Sequence, residues 1–102
     1  MHKVKTEFDV LRGEKNILGD QLRKFRCASN VSQDAFAAAC QLLGWDLARG
    51  TLAKIESGIR RVTDAEVVLL AHVLKIEPGE LLSGILITDA ISTARHGHES
   101  RP

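Results

Sequence analysis

The chain of 102 residues is long enough for one domain with a single modest core. Aromatic residues make up only 4% of it while hydrophobic residues make up 44%, so closely packed small helices are expected; no apolar run of about 18 residues offers a membrane span, and "MHKVKTEFDV" has no apolar stretch of the kind a secretory signal needs. The net charge of +1 identifies no partner, but the stretch Leu22 to Arg61 holds seven Lys/Arg against three acids (+4) and leaves −3 elsewhere, which implies one attracting face.

In chain order, "VKTEFDV" comes first. Val4, Thr6, Phe8 and Val10 alternate with Lys5, Glu7 and Asp9, a period of two that predicts a short N-terminal strand in need of a partner. The period then changes. Leu18, Leu22 and Phe25 fall at i, i+4 and i+7 and predict a helix near 17–28. Ser32 is a good cap for a second helix at about 33–43, with Phe36, Ala37, Cys40 and Leu43 inward. A third, about 47–57, turns Leu52 and Ile55 inward and stops at Gly58. "TDAE" is a capping box, Thr63 with Glu66, that opens a fourth helix through about Lys75. Its apolar residues include Val68, Leu69 and Val73 off the main stripe, which predicts burial on more than one side. "EPGELL" starts a short fifth helix with Pro78 at its first position, ended by Gly84. "ILIT" at 85–88 reads as a short C-terminal strand, and the tail from about His96 as loose.

Cys27 and Cys40 lie inside predicted helices with no CxxC spacing, and read as two small buried thiols in a reducing compartment; a disulfide or metal pair is the alternative. His72 reads as a partly buried core histidine. "HGH" at 96–98 lacks a third ligand nearby, so no metal site or cofactor is expected. No catalytic set or phosphate loop stands out, and "SG" at 57–58 is a helix end rather than a nucleophile elbow, so an enzyme is not expected.

On a wheel, the third helix opposes Leu52 and Ile55 to a face carrying Arg49, Gly50, Ala53, Lys54 and Ser57, with Thr51 at its edge. Two long cations among small neighbours fit a helix slim enough for the DNA major groove, which is ~12 Å wide. Arginine and lysine suit guanine O6 and N7, and threonine a thymine methyl or a phosphate. Read alone, that face is also what any solvated helix presents.

The wider order of residues, "LRKFR…VSQDAFA…RGTLAKIESGIRR" followed by "LLAHVL…PGELL", resembles the helix-turn-helix domain of Cro/C1-type (XRE-like) transcriptional regulators from about Leu18 to Leu82. The resemblance implies an all-α, five-helix lambda-repressor-like domain whose second and third helices read DNA. It implies that Arg49, Gly50, Thr51 and Lys54 are the base-reading positions. It also implies that Gln33 touches the DNA backbone and helps orient its neighbouring helix, and that Arg60 and Arg61 grip phosphates.

One pair is argued from charge as well. Arg26 lies at i+8 from Leu18 on the first helix's apolar stripe, and Glu56 at i+4 from Leu52. Buried charges must be paired, and the family pattern has an arginine and a glutamate bridging these helices at the matching positions. An Arg26–Glu56 ion pair is therefore expected, with two independent surface charges as the alternative.

The chain departs from the pattern between the second and third helices, where "QLLGWDL" is an enlargement of the usual short turn. Leu42 and Leu43 are expected to extend the second helix and Gly44 to end it. With Ala48 at the usual serine position, Asp46 is expected to cap the third. Trp45 reads as a hydrophobic plug in that turn, with a rim contact to the sugar-phosphate backbone as the alternative.

The expected organisation is an N-terminal extension (1–16), a DNA-binding helix-turn-helix domain (17–84), and a C-terminal extension (85–102), with segments 1–16 and 85–95 as the candidates for dimerisation. The expected function is sequence-specific binding of double-stranded DNA by a cytoplasmic homodimeric transcriptional regulator. The alternative is a protein-interaction module, such as an antitoxin or a subunit of a larger regulatory complex, with no membrane partner in either case.

Overall fold

Local signals place most helix ends, and tertiary packing moves the rest. The computed structural model of the chain describes residues 14–99. Among these residues there are six helices and no strand: α1 (Gly19–Ala28), α2 (Gln33–Leu43), α3 (Arg49–Glu56), α4 (Asp64–Leu74), α5 (Pro78–Leu81) and α6 (Ile87–Glu99). The alternating segment 4–10 lies outside the described residues.

Start signals of α2 and α4 operate as their chemistry dictates. The Ser32 hydroxyl accepts from the Ala35 N–H at 3.0 Å. Thr63 and Glu66 form the reciprocal capping box. Four helices end in one pattern: a left-handed residue (Asn30, Gly44, Gly58 or Lys75) lets the last carbonyls accept two backward N–H bonds. At the end of α2, Gly44 N–H bonds to the Gln41 carbonyl and Trp45 N–H to the Cys40 carbonyl.

The core gathers Leu18, Leu22, Phe36, Cys40, Leu47, Leu52, Ile55, Leu70, Ala71 and Leu81. It is made chiefly where α2 meets α3 and α4 meets α5, with α1 resting on α3 and α4. Trp45 is half-buried against this cluster, in the position of a plug for the enlarged turn. No helix among the described residues is long and apolar enough to cross a membrane.

Several local expectations are corrected. The stretch 85–88 is not a strand: α6 begins at Ile87. A strand there finds no partner among the described residues, whereas Ile87, Ala90, Ile91 and Ala94 recur at helical spacing. That helix also carries the backbone to Glu99, past the point where a loose tail was expected. Asp46 does not cap α3. Ala48 holds the cap position and offers no acceptor. Leu47 explains the offset, because its side chain is buried in the core while its carbonyl accepts from Gln41 Nε2 at 2.9 Å, so the helix starts only beyond it. Cys27 is exposed and only Cys40 is buried; both thiols are free. Burial away from water pushes the Cys40 thiol up to about 11. Val68 and His72 face outward, so α4 is covered on fewer sides than its composition predicts.

Candidate nucleic-acid interface

The outward side of α3 is built from its first two turns. Arg49, Gly50 and Lys54 are exposed and Thr51 is half-exposed, while Leu52, Ile55 and Glu56 are buried. The helix is only eight residues long, so its own cooperativity cannot hold it and its placement depends on tertiary anchors.

Two anchors do this. The first is a buried polar network. Arg26 Nε donates to Glu56 Oε2 at 2.6 Å and Arg26 Nη2 donates to Oε1 at 3.0 Å, a bidentate pair between α1 and α3. Arg26 Nη1 also donates to the Val31 carbonyl at 2.8 Å, and Gln33 Nε2 donates to Glu56 Oε1 at 3.1 Å. The Arg26–Glu56 pair therefore ties α1, the following turn, α2 and α3 together. The bond to Glu56 holds the Arg26 guanidinium above its ordinary pKa against the opposing pull of burial. Among the described residues no buried side-chain nitrogen or oxygen lacks a partner.

The second anchor is Asn16. Its Oδ1 accepts from the N–H groups of Leu18 and Gly19 at 3.0 and 2.8 Å, serving the open start of α1. Its Nδ2 donates to the carbonyls of Ile55 and Arg60 at 3.0 and 2.8 Å. The start of α1 is thus fastened to the end of α3. Gly19 permits the approach: a Cβ there would stand 2.5 Å from the Ile55 carbonyl oxygen and 2.7 Å from that of Glu56. Neither residue stands out in the sequence reading, although an asparagine just ahead of the first apolar-periodic position is a recognised helix-start signal. No sequence signal marks the steric demand at Gly19, because it comes from a residue 36 positions away.

The remaining expected contacts are distributed unevenly. Gln33 turns its amide to Glu56, within the scaffold that orients α3. Arg60 lays its fork on Glu66, with Nη1 to Oε1 and Nη2 to Oε2 both at 3.0 Å, and Nη1 also donates to the Arg61 carbonyl. The Glu66 bond raises the Arg60 pKa, and the same bond holds the Glu66 carboxyl below the usual carboxylate range. Arg49 lies 3.3 Å from Asp34 in an exposed ion pair that contributes little to stability. Thr51, Lys54, Arg60 and Arg61 line one open cleft, which Lys15 and Ile59 complete. Among the described residues no group of His, Cys, Asp or Glu is arranged to hold a metal ion.

Comparison with known proteins gives a consistent frame. The helix-turn-helix family model matches residues 22–81. The chain is similar to the restriction-modification controller protein C.AhdI from Aeromonas hydrophila, at 34% identity and a TM-score of 0.56 over 63% of this chain and 89% of that one. It shares its fold with the clp gene regulator ClgR from Corynebacterium glutamicum, at 23% identity and a TM-score of 0.59 over 88% and 86% of the respective chains. No curated protein matches the sequence.

Proposed function

The chain belongs to the Cro/C1-type (XRE-like) helix-turn-helix family, and from that premise we propose that it regulates transcription by binding double-stranded DNA sequence-specifically as a homodimer, with α3 in the major groove. The observation that carries this is the division of α3. One side is locked into the fold through Glu56, Leu52 and Ile55, and the other presents Arg49, Gly50, Thr51 and Lys54 among small neighbours. An α-helix with side chains is about 10–12 Å across and fits the groove. Arg49 and Lys54 read base edges, Thr51 a methyl or a phosphate, and Gly50 lets the backbone approach closely.

The flanking cations supply the sequence-independent part of the affinity. Arg61, and Arg60 while still held by Glu66, approach the phosphates. Gln33 acts through Glu56 as a positioning residue. C.AhdI controls a restriction-modification system, and a regulatory role of that general kind suits this chain.

The dimer is proposed to form through the C-terminal extension. Leu86, Ile87 and Ile91 are 63%, 73% and 52% exposed, an apolar edge unusual for a lone small domain. Two copies related by a two-fold axis then read half-sites one helical turn apart, ~34 Å.

Selection of bound duplexes from a random pool, followed by affinity measurement, tests the proposal. An enriched palindromic site is expected, and Arg49→Ala should relax preference at one position for about 1–3 kcal/mol. Absence of any duplex binding at low salt would instead favour the same fold used as a protein-interaction module.

A further inference from the structure

The cleft beside α3 draws on a residue that lies ahead of the family match. Its lining is Lys15, Thr51, Lys54, Ile59, Arg60 and Arg61, around an open volume of about 610 Å³. Four of the six are cations and none is acidic. Two of them, Thr51 and Lys54, belong to the outward side of α3, so a helix entering the groove carries this cleft to the groove's edge, where the phosphates run.

Lys15 is not a loose terminal residue. Its N–H donates to the Gly58 carbonyl at 2.7 Å, and the next residue, Asn16, is bonded to the carbonyls of Ile55 and Arg60. These bonds fix the Lys15 backbone against the end of α3, using none of its side chain. Among the described residues neither Lys15 nor Lys54 has an ion-pair partner. Both ammonium groups are therefore available to an incoming anion.

We propose that this cleft seats a DNA backbone phosphate next to the base-reading helix, and that Lys15 is a further DNA-contacting residue supplied from ahead of α1. The proposal rests on the DNA-reading function above. A phosphate there meets the Lys15 ammonium group and the Thr51 hydroxyl, beside the Lys54 that reads the base edge. The contact is electrostatic and indifferent to sequence, because a backbone phosphate presents the same group at every base pair.

The test uses the full-length chain, its selected duplex and a scrambled duplex, with affinity measured by fluorescence anisotropy between about 50 and 200 mM salt. Lys15→Gln is expected to reduce the slope of log affinity against log salt by about 0.9, the release of one phosphate's counterions, on both duplexes alike. Lys15→Arg is expected to retain the wild-type slope, and Lys75→Gln, a charge loss at the end of α4, to leave it unchanged. The melting temperature of Lys15→Gln should equal that of wild type, since the anchoring bonds are main-chain. An unchanged slope in Lys15→Gln overturns the cleft assignment, as does an equal drop in Lys75→Gln. A wild-type chain that binds neither duplex overturns the DNA-reading function itself, and the cleft assignment with it.

Discussion

At the scale of single residues, Glu56 joins three helices through one carboxylate. It accepts from both Arg26 and Gln33 while buried on the inner side of α3. Removing one partner of such a pair leaves an uncompensated buried charge, so Glu56→Ala should cost ~3–5 kcal/mol in urea denaturation. Replacing both partners, as in Arg26→Met with Glu56→Leu, should recover much of that loss, because no charge is then left buried. Glu66 gives a separate, pH-dependent signature. Its folded pKa is lowered, first by the bond from Arg60. A lowered folded pKa means that its contribution is fully present above the unfolded value, about 4.3, and is lost as the pH falls through the folded value. Glu66→Gln should therefore be less stable than wild type near neutrality. Acid titration of stability should bring the two curves together below that window; a constant gap at all pH values would refute the linkage.

At the scale of elements, the four helices that stop on a left-handed residue differ in how well that residue suits the job. Two use glycine and one asparagine, but α4 ends on Lys75 at φ 63°, ψ 40°. A side chain in that region costs roughly 1–2 kcal/mol, and the extra freedom of glycine in the unfolded chain offsets about 0.5–1 of it. Lys75→Gly should thus stabilise the protein by about 0.5–1 kcal/mol in a denaturant titration, with no change in slope. The enlarged turn before α3 shows a different economy. Gly44 reverses the chain, Trp45 covers the core, Leu47 enters it, and Gln41 reaches across to bond the Leu47 carbonyl. The extra residues are held by packing and by one amide, which lets α3 begin without a side-chain cap.

At the scale of the whole molecule, α6 stands apart. It packs on none of the other helices to the extent that they pack on one another. Ser92 Oγ donates to Glu14 Oε1 at 3.0 Å. Its apolar residues face outward. The proposed dimer accounts for that exposure, and a chain ending at residue 84, which keeps the Asn16 anchor, checks it by sedimentation at matched concentrations. The truncated chain should be monomeric and lose affinity for the two-half-site duplex far more than for a single half-site. Retention of the full chain's dimerisation would move the interface elsewhere on the domain.

Much of the fold is legible in local chemistry. Ser32, the Thr63–Glu66 box and Pro78 start helices where their side chains or ring satisfy an orphan N–H or remove it, and Gly44 ends α2 where a positive φ is needed. The residues of the outward face of α3 follow from the 3.6-residue period alone, whereas the pairing of Arg26 with Glu56 needed the family resemblance as well as the placement of both on apolar stripes. Other features depend on residues far apart in sequence. Asn16 and Gly19 matter because the end of α3 lies against them. The cap of α3 shifted because Leu47 had a core to enter. Ile87 starts a helix, since among the described residues no strand is present to complete the hydrogen bonds of another. Gln33 and Arg60 turned toward carboxylates that the chain order does not place beside them. The sequence by itself determined the starts of α2, α4 and α5 and the outward face of α3. Only the tertiary structure decided which outward groups are already engaged and which, like Lys15 and Lys54, stand open, because engagement depends on distances across the fold and not along the chain.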